Sequence, residues 1–204
     1  TDTADVLGFV GFRPQFDDFK DGDGDAIRDS EIDVYNGLLK LGVNAGASHR
    51  FTLSGSWYQD GGTTPPNANA AASATTVVDR DARVATLRAG WDYAPATSPL
   101  IDLSTLFYFN DLLIEEDRDF DGREDETTYR TYGAEIVNRS QVDIGLPTTF
   151  VFGIEAYRDK QTGERNGAPR PEFPDASVDF LGAFVEARVA LSDTVEITPG
   201  LRFD

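Results

Sequence analysis

Alternation of apolar and polar residues is the feature that most constrains this chain. In "RFTLSGSWYQ", residues 50–59, the side chains of Phe51, Leu53 and Trp57 share one face of an extended strand, while polar side chains share the other. The same period of two recurs in "VATLRAGWDY", "LGAFVEARVAL" and "VEITPGLRFD". A helical period is hard to find anywhere in the chain. The sequence therefore predicts an all-β protein.

The alternating segments are long for a globular protein. They predict about nine strands, near residues 5–13, 34–44, 50–59, 82–93, 101–111, 128–139, 148–158, 178–191 and 195–204. A tilted strand needs about 9 to 11 residues to cross a bilayer, whereas globular strands are nearer 5 or 6 residues. The polar faces also carry full charges, which soluble cores rarely hold. We expect these charges to face the inside of a barrel: Arg50, Arg88, Arg130, Glu155, Glu186 and Arg202.

The connections between these segments alternate between long and short. The long ones are predicted at 14–33, 60–81, 112–127 and 159–177; the short ones are at 45–49, 94–100 and 192–194, and 140–147 is intermediate. Membrane barrels have short turns on one side and long loops on the other. The sequence therefore predicts an antiparallel transmembrane β-barrel segment. Nine strands with two open edges in lipid are not self-sufficient, so we expect the segment to be part of a larger barrel.

Composition and charge exclude several classes of function. With 36 acidic and 18 basic residues, the net charge of −18 opposes binding to nucleic acid. The absence of cysteine excludes disulfides, zinc–thiolate sites and thiol nucleophiles. The single histidine, His49, has no evident nucleophile partner and lies in a predicted turn, where we expect a structural role. We therefore do not expect an enzyme.

Four stretches of the chain resemble a known family. "DGDGDAIRDSEIDVYNGLLKLGVNAGASHRFTLSGSWYQD" resembles the early barrel of TonB-dependent outer-membrane receptors, in particular the haem and haemoglobin receptor branch. "TTYRTYGAEIVNRS", "FVFGIEAYRDK" and "VEITPGLRFD" are similar to three later strands of that branch. The resemblance implies a barrel of about 22 strands around an N-terminal plug. Residues 1–204 are then a partial barrel domain, with the plug domain and the C-terminal strands absent from this chain.

The resemblance also implies a function and a location. It implies a receptor in the outer membrane of a Gram-negative bacterium that contacts membrane lipid and, through its plug, TonB. The implied cargo is haem, free or from a haemoprotein such as haemoglobin, with a ferric siderophore or another scarce nutrient as the alternative. No cofactor is required. A porin without a plug is a second alternative, and a soluble, secreted, calcium-binding β-sandwich for adhesion or binding is a third.

Two acidic stretches are candidate calcium loops. "DGDGDAIRD" and "DRDFDGRED" each place aspartates at positions 1, 3, 5 and 9 of a calcium-loop template. Ile32 and Thr128 stand where the closing glutamate of an EF-hand would be, so neither stretch is an EF-hand. Oxygen ligands that repel one another still favour a divalent cation, and both stretches are expected on the same side of the barrel. The candidate calcium ligands, in separate sites or one shared site, are Asp21, Asp23, Asp25, Asp29, Asp117, Asp119, Asp121 and Asp125.

Aromatic residues lie near the ends of several predicted strands. Barrels place aromatic girdles at both membrane interfaces, but aromatic residues also favour strands in general. The sequence leaves both explanations open for Trp57, Tyr58, Trp91, Tyr93, Phe107 and Phe109.

Overall fold

A single antiparallel sheet contains every strand of the described chain. The computed structural model describes residues 3–14, 18–27, 29–64 and 77–204. These residues contain no helix long and apolar enough to cross a membrane. The strands are β1 (Ala4–Arg13), β2 (Asp33–Ala45), β3 (His49–Thr64), β4 (Val78–Tyr93), β5 (Leu103–Arg118), β6 (Arg123–Asp143), β7 (Pro147–Arg165), β8 (Ala168–Pro169), β9 (Ala176–Ser192), β10 (Val195–Ile197) and β11 (Gly200–Phe203).

The strands follow one another as a meander. Their order in the sheet is β1-β2-β3-β4-β5-β6-β7-β9-β10, while the short β8 pairs with β7 and β11 pairs with β9. β10 and β11 together occupy the predicted ninth strand, so the prediction of about nine antiparallel strands is confirmed. Consecutive hairpins of this kind form the wall of an up-and-down barrel.

Three of the four predicted long connections are shorter than expected, whereas the first, predicted at 14–33, has the expected length. β5 continues to Arg118 and β6 begins at Arg123, so the predicted loop at 112–127 is wrong: only a turn at 119–122 joins the two strands. Gly122 adopts a φ of +65° in this turn, a conformation that favours glycine. β3 and β7 also extend beyond their predicted ends. Charged side chains are compatible with a β-strand when both faces of the strand contact water and its backbone groups stay hydrogen-bonded. Residues 65–76 of the connection predicted at 60–81 lie outside the described residues.

Strand register sorts the side chains onto two faces. On the face that we call the apolar face, one row runs through Val6, Leu41, Leu53, Ala89, Phe107, Ala134, Ala156 and Leu181. On the opposite face, the polar face, the neighbouring row runs through Lys40, Ser54, Arg88, Tyr108, Gly133, Tyr157 and Phe180. The alternation read from the sequence is therefore the alternation of the sheet.

The apolar face is open to its surroundings. Val10 is 82% exposed and Leu201 is 79% exposed, and large apolar residues are exposed on every long strand. Within the described ranges the buried apolar residues are Val78, Ala82, Val137 and Val151. A β-sandwich needs a second sheet over its apolar face, and the described strands form one sheet. The described strands therefore do not form a sandwich, and their single antiparallel sheet has the architecture of a barrel wall.

The sheet has two unlike ends. Connections 46–48, 94–102, 144–146 and 193–194 lie at the end that we call the turn end. The connections from β1 to β2, β3 to β4, β5 to β6 and β7 to β9 start and finish at the other end of the strands, the loop end. At the loop end β4 to β7 continue past the apolar rows into charged sequence, so the acidic residues of the chain concentrate there.

Candidate functional site

The first acidic stretch forms a compact turn at the loop end. Lys20 and Ala26 pair as an isolated antiparallel bridge, and the turn lies between them. One carboxylate oxygen of Asp21 accepts hydrogen bonds from the backbone N–H groups of Asp23, at 3.0 Å, and Asp25, at 2.9 Å. The Asp21 side chain therefore organises its own turn. Asp29 follows it with a φ of +56°, a left-handed conformation that aspartate tolerates better than most residues.

The second acidic stretch is divided between two strands and a turn. Asp117 belongs to β5, Asp119 and Asp121 to the turn, and Asp125 to β6. The Asp121 carboxylate accepts the backbone N–H of Arg123 at 3.2 Å. Asp119 is exposed, whereas Asp125 is 4% exposed. The predicted continuous loop of ligands is therefore an ordinary hairpin.

The structure does not assemble the candidate calcium ligands into a cage. In the part of the chain that the structure describes, no group of three or more histidine, aspartate or glutamate side chains is arranged to hold a metal ion. The first stretch follows β1 and the second follows β5, and β2 and β5 are three strand spacings apart in the sheet. Three spacings correspond to about 14 Å. Calcium binding at either stretch stays a prediction.

Asp125 lies instead at the centre of an arginine cluster. Its carboxylate accepts hydrogen bonds from Arg123, at 2.6 and 2.8 Å, and from Arg165, at 2.7 Å. Arg170 lies 3.6 Å from the same carboxylate. We call Arg123, Asp125, Arg165 and Arg170 the Asp125 cluster. It ties β6 and β7 to the connection after β8, which otherwise has little sheet pairing.

The electrostatics of the cluster favour an ionised Asp125. Burial by itself raises the pKa of this carboxyl group, but the hydrogen bonds from Arg123 and Arg165 and the charge of Arg170 outweigh burial and lower the pKa to about 2. Arg165 also contacts Glu172 at 3.2 Å, and Arg170 stacks over the Phe173 ring at 5.3 Å. These contacts hold the connection at 170–173 against the strands.

An acidic cleft opens beside the Asp125 cluster. It has a volume of about 450 Å³ and lies at the loop end of β4 to β7. Such a concentration of carboxylates attracts cations and repels anions. With Gly167 it is lined by Asp79, Asp81, Glu115, Glu116, Asp117, Glu124, Asp125, Glu126 and Glu164. Of the candidate calcium ligands, the cleft brings together Asp117 and Asp125 alone.

Hydrogen bonds join the strands along the polar face, in two cases across an intervening strand. Arg50 pairs with Asp5 at 2.6 Å, and Tyr108 donates to Glu155 at 3.1 Å. Ser104 donates to Asp92 at 2.8 Å. This network confirms the polar face predicted from alternation. The prediction for Arg130 was wrong. Arg130 lies on the apolar face opposite Asp111, and its Nε donates a hydrogen bond to the Asp111 carboxylate at 2.6 Å.

Aromatic side chains collect on the apolar face at the turn end. The His49 and Tyr93 rings stack with centroids 4.5 Å apart, and Trp91 donates a hydrogen bond from Nε1 to His49 Nδ1 at 3.2 Å. Phe51 completes the cluster, 6.4 Å from the Trp91 ring. The position matches an interfacial girdle. His49, which the sequence predicted in a turn, is the first residue of β3 and contributes its ring to this cluster.

Comparisons with known proteins agree on the fold. No protein-family model and no curated protein matches the sequence. Among solved structures, the Serratia marcescens hemophore receptor HasR, a double mutant in complex with its hemophore HasA and heme, is 24% identical with a TM-score of 0.78, covering 98% of this chain and 29% of that one. The FrpB iron transporter from Neisseria meningitidis (F3-3 variant) is 16% identical with a TM-score of 0.77, covering 99% and 36%. The copper transporter OprC is 15% identical with a TM-score of 0.75, covering 98% and 32%.

The chain has the fold of a TonB-dependent receptor barrel. It spans about a third of the solved chains that it matches. The predicted resemblance is confirmed at the level of the fold, over nearly the whole chain.

Sequence reasoning missed the Asp125 cluster of this barrel wall. Asp125 pairs across the sheet with Arg165, 40 residues later. Alternation in the sequence indicates that Asp125 and Arg165 both lie on the polar face, and this is the evidence that the sequence offers for the cluster. Without the register of β6 against β7, however, nothing in the sequence brings the two side chains together.

Proposed function

We propose that this chain is a barrel segment of a TonB-dependent receptor in the outer membrane of a Gram-negative bacterium, and that the receptor imports haem. The observation that carries the proposal is the open apolar face across nine antiparallel strands. Contact between such a face and lipid has no free-energy penalty, whereas its contact with water is unfavourable. The rest of the receptor, including a plug that contacts TonB, belongs to sequence outside residues 1–204.

The likeness to receptors and transporters supports transport rather than catalysis. HasR, FrpB and OprC are described as a hemophore receptor, an iron transporter and a copper transporter. The polar face fits this function, since its paired charges suit a wall that meets water and a plug inside the barrel. In this proposal the ligand binds on the outer side of the barrel and the plug then rearranges, with no covalent step.

Haem is the favoured cargo for two reasons. The sequence resembles the haem and haemoglobin receptor branch in motif order, and the 24% identity with HasR exceeds the 15 and 16% with OprC and FrpB. HasR is described with a hemophore and heme. A ferric siderophore is the alternative, because the shared fold serves several cargoes. Calcium at the acidic stretches is a separate proposal, supported by their aspartate spacing alone.

Membrane fractionation of the full-length protein tests the barrel. We expect it in the outer membrane, with a band on a denaturing gel that changes mobility between unheated and heated samples. A water-soluble protein without this change would refute the proposal.

Growth of iron-starved cells tests the cargo. We expect cells that express the protein to grow on haem or haemoglobin as the iron source, and to stop growing when TonB is deleted. Growth on ferric siderophores but not on haem would favour the alternative. Growth on haem without TonB would contradict the proposed mechanism.

A further inference from the structure

The two faces of the sheet carry opposite charge at the loop end. On the polar face, Arg118 of β5 stands directly opposite Arg123 of β6, and Arg165 of β7 stands opposite Asp125. On the apolar face, a row of four carboxylates crosses β4 to β7, formed by Asp81, Glu115, Glu126 and Glu164. The chain as a whole has 36 acidic and 18 basic residues, so the arginines depart from its general charge. A negatively charged ligand is therefore attracted to the polar face and repelled from the apolar face.

Arg118 lacks the carboxylate partner that its neighbour has. Directly opposed side chains have Cβ atoms about 5 Å apart, and like charges in this position destabilise a sheet. Arg123 bonds to the Asp125 carboxylate, which compensates its charge. Arg118 forms no ion pair with any residue that the structure describes, and this includes Glu116, the next polar-face residue of β5. The positive charge of Arg118 is therefore available to a further anion.

Two guanidinium N–H groups of this region are buried without an acceptor. Within the described ranges, the buried side-chain nitrogen and oxygen atoms that lack a hydrogen-bond partner are Nε of Arg118 and Nε of Arg170. A buried donor without an acceptor is unfavourable, and native structures contain few of them. Arg170 uses Nη1 for its contacts with Asp125, at 3.6 Å, and Thr127, at 3.4 Å, so its Nε remains for another acceptor. We call Arg118 and Arg170 the arginine pair.

The connection after β8 brings an aromatic ring to the same face. Gln161 and Gly163 are polar-face positions of β7, since they alternate with Tyr157. Gln161 donates a hydrogen bond to the carbonyl of Pro174 at 3.1 Å, and the Phe173 backbone occupies the space that a side chain at position 163 would need. The Phe173 ring lies 5.3 Å from the Arg170 guanidinium group and is 38% exposed. An exposed flat apolar surface therefore lies beside the arginine pair.

We propose that the arginine pair binds a carboxylate group of the cargo, and that this group is a propionate of haem. The inference rests on the proposed function, since it requires the polar face to line the barrel and the cargo to enter at the loop end. The carboxylate accepts the Nε–H groups of Arg118 and Arg170 in charge-assisted hydrogen bonds. The porphyrin ring packs beside Phe173, because flat aromatic surfaces stack favourably. The unpaired charge of Arg118 is compensated when the cargo binds.

Titration of the full-length protein with two forms of haem tests the proposal. The purified protein in detergent is titrated with haem and with haem dimethyl ester, which keeps the iron and the ring but has no free carboxylate, and visible absorption reports binding. We expect Arg118→Gln to weaken haem binding roughly tenfold, the contribution of one charge-assisted hydrogen bond. The same variant binds the dimethyl ester as the unsubstituted protein does. Arg139→Gln is the matched control, because Arg139 also lies on the polar face but at the turn end.

Amide hydrogen exchange without haem separates ligand binding from a role in the fold. Because Arg118→Gln removes one of two opposed like charges, we expect peptides that cover 118–127 to exchange no faster than in the unsubstituted protein. Faster exchange would mean that a carboxylate elsewhere in the receptor already holds Arg118, and it would overturn the proposal.

The remaining outcomes separate this inference from the proposed function. Haem binding that Arg118→Gln leaves unchanged, that Arg139→Gln weakens equally, or that falls as much for the dimethyl ester refutes the propionate site and leaves haem as the cargo. Failure of the unsubstituted protein to bind haem refutes the proposed cargo, and the propionate site with it.

Discussion

Replacement of Asp125 by asparagine tests the cluster that holds the loop end together. The substitution keeps the shape of the side chain but removes the charge that Arg123, Arg165 and Arg170 share. The cluster lies beyond the apolar rows of β6 and β7, at the loop end of these strands. We therefore expect a local loosening of this hairpin and the 166–175 connection rather than unfolding of the barrel.

The pKa of Asp125 sets the size of this effect. The pKa falls from an ordinary value of 3.8 to about 2, and each unit corresponds to about 1.4 kcal/mol, so the ionised carboxylate contributes about 2 kcal/mol. The lowered pKa means that the contribution is complete above pH 4 and is lost as the pH falls towards 2. The neutral variant also leaves three arginines around an uncharged amide group, which adds to the cost of the substitution.

Amide hydrogen exchange measures the loosening directly. At pH 7, we expect peptides that cover 118–127 and 163–173 in the Asp125→Asn variant to exchange about 30-fold faster. The difference from the unsubstituted protein closes as the pH approaches 2. Asp119→Asn, in EDTA, is the control, since Asp119 is an exposed residue of the same hairpin. Unchanged exchange in the Asp125→Asn variant at pH 7, or the same acceleration in the control, would refute the reasoning.

Three further substitutions test the faces and the turns. Leu53→Arg places a charge in the middle of the apolar face and is expected to destabilise the barrel by about 2 to 4 kcal/mol in urea unfolding from lipid vesicles. Gly133→Ala places a methyl group where it overlaps the Tyr108 ring, so we expect the free energy of unfolding to fall by about 1 to 3 kcal/mol in the same assay. If the first acidic stretch binds calcium, Asp23→Asn weakens calcium affinity by roughly tenfold in calorimetric titration.

The first two of these substitutions have matched comparisons. Ser54→Arg lies next to Leu53 but on the polar face, and we expect it to be tolerated. Gly8→Ala adds a methyl group where no atom lies within 4 Å, so it should leave stability unchanged. Equal costs in either pair would contradict the assignment of faces or the close approach of Tyr108. The absence of any heat of calcium binding in the unsubstituted protein would end the calcium hypothesis.

The successes of the sequence predictions share a physical cause. Alternation with a period of two is a local property of a strand, and it identified the long strands and both faces before any pairing was known. The failures lie towards the loop end of the strands, where charged residues occur on both faces of the sheet. Residues 112–118 were predicted as part of a loop, yet they pair with β6 throughout. Arg130 was placed inside because of its charge, although alternation puts it on the face of Tyr132.

The sequence by itself determined that the chain is all-β, that its strands are long enough to cross a bilayer, and which side chains share a face. Strand register was decided by the tertiary structure alone, because pairing depends on residues far apart in the chain. Register brings Arg165 to Asp125 and lines up Arg130 with Lys160. Neither pair has a local signature, since each lies on two strands whose alignment only the whole sheet fixes.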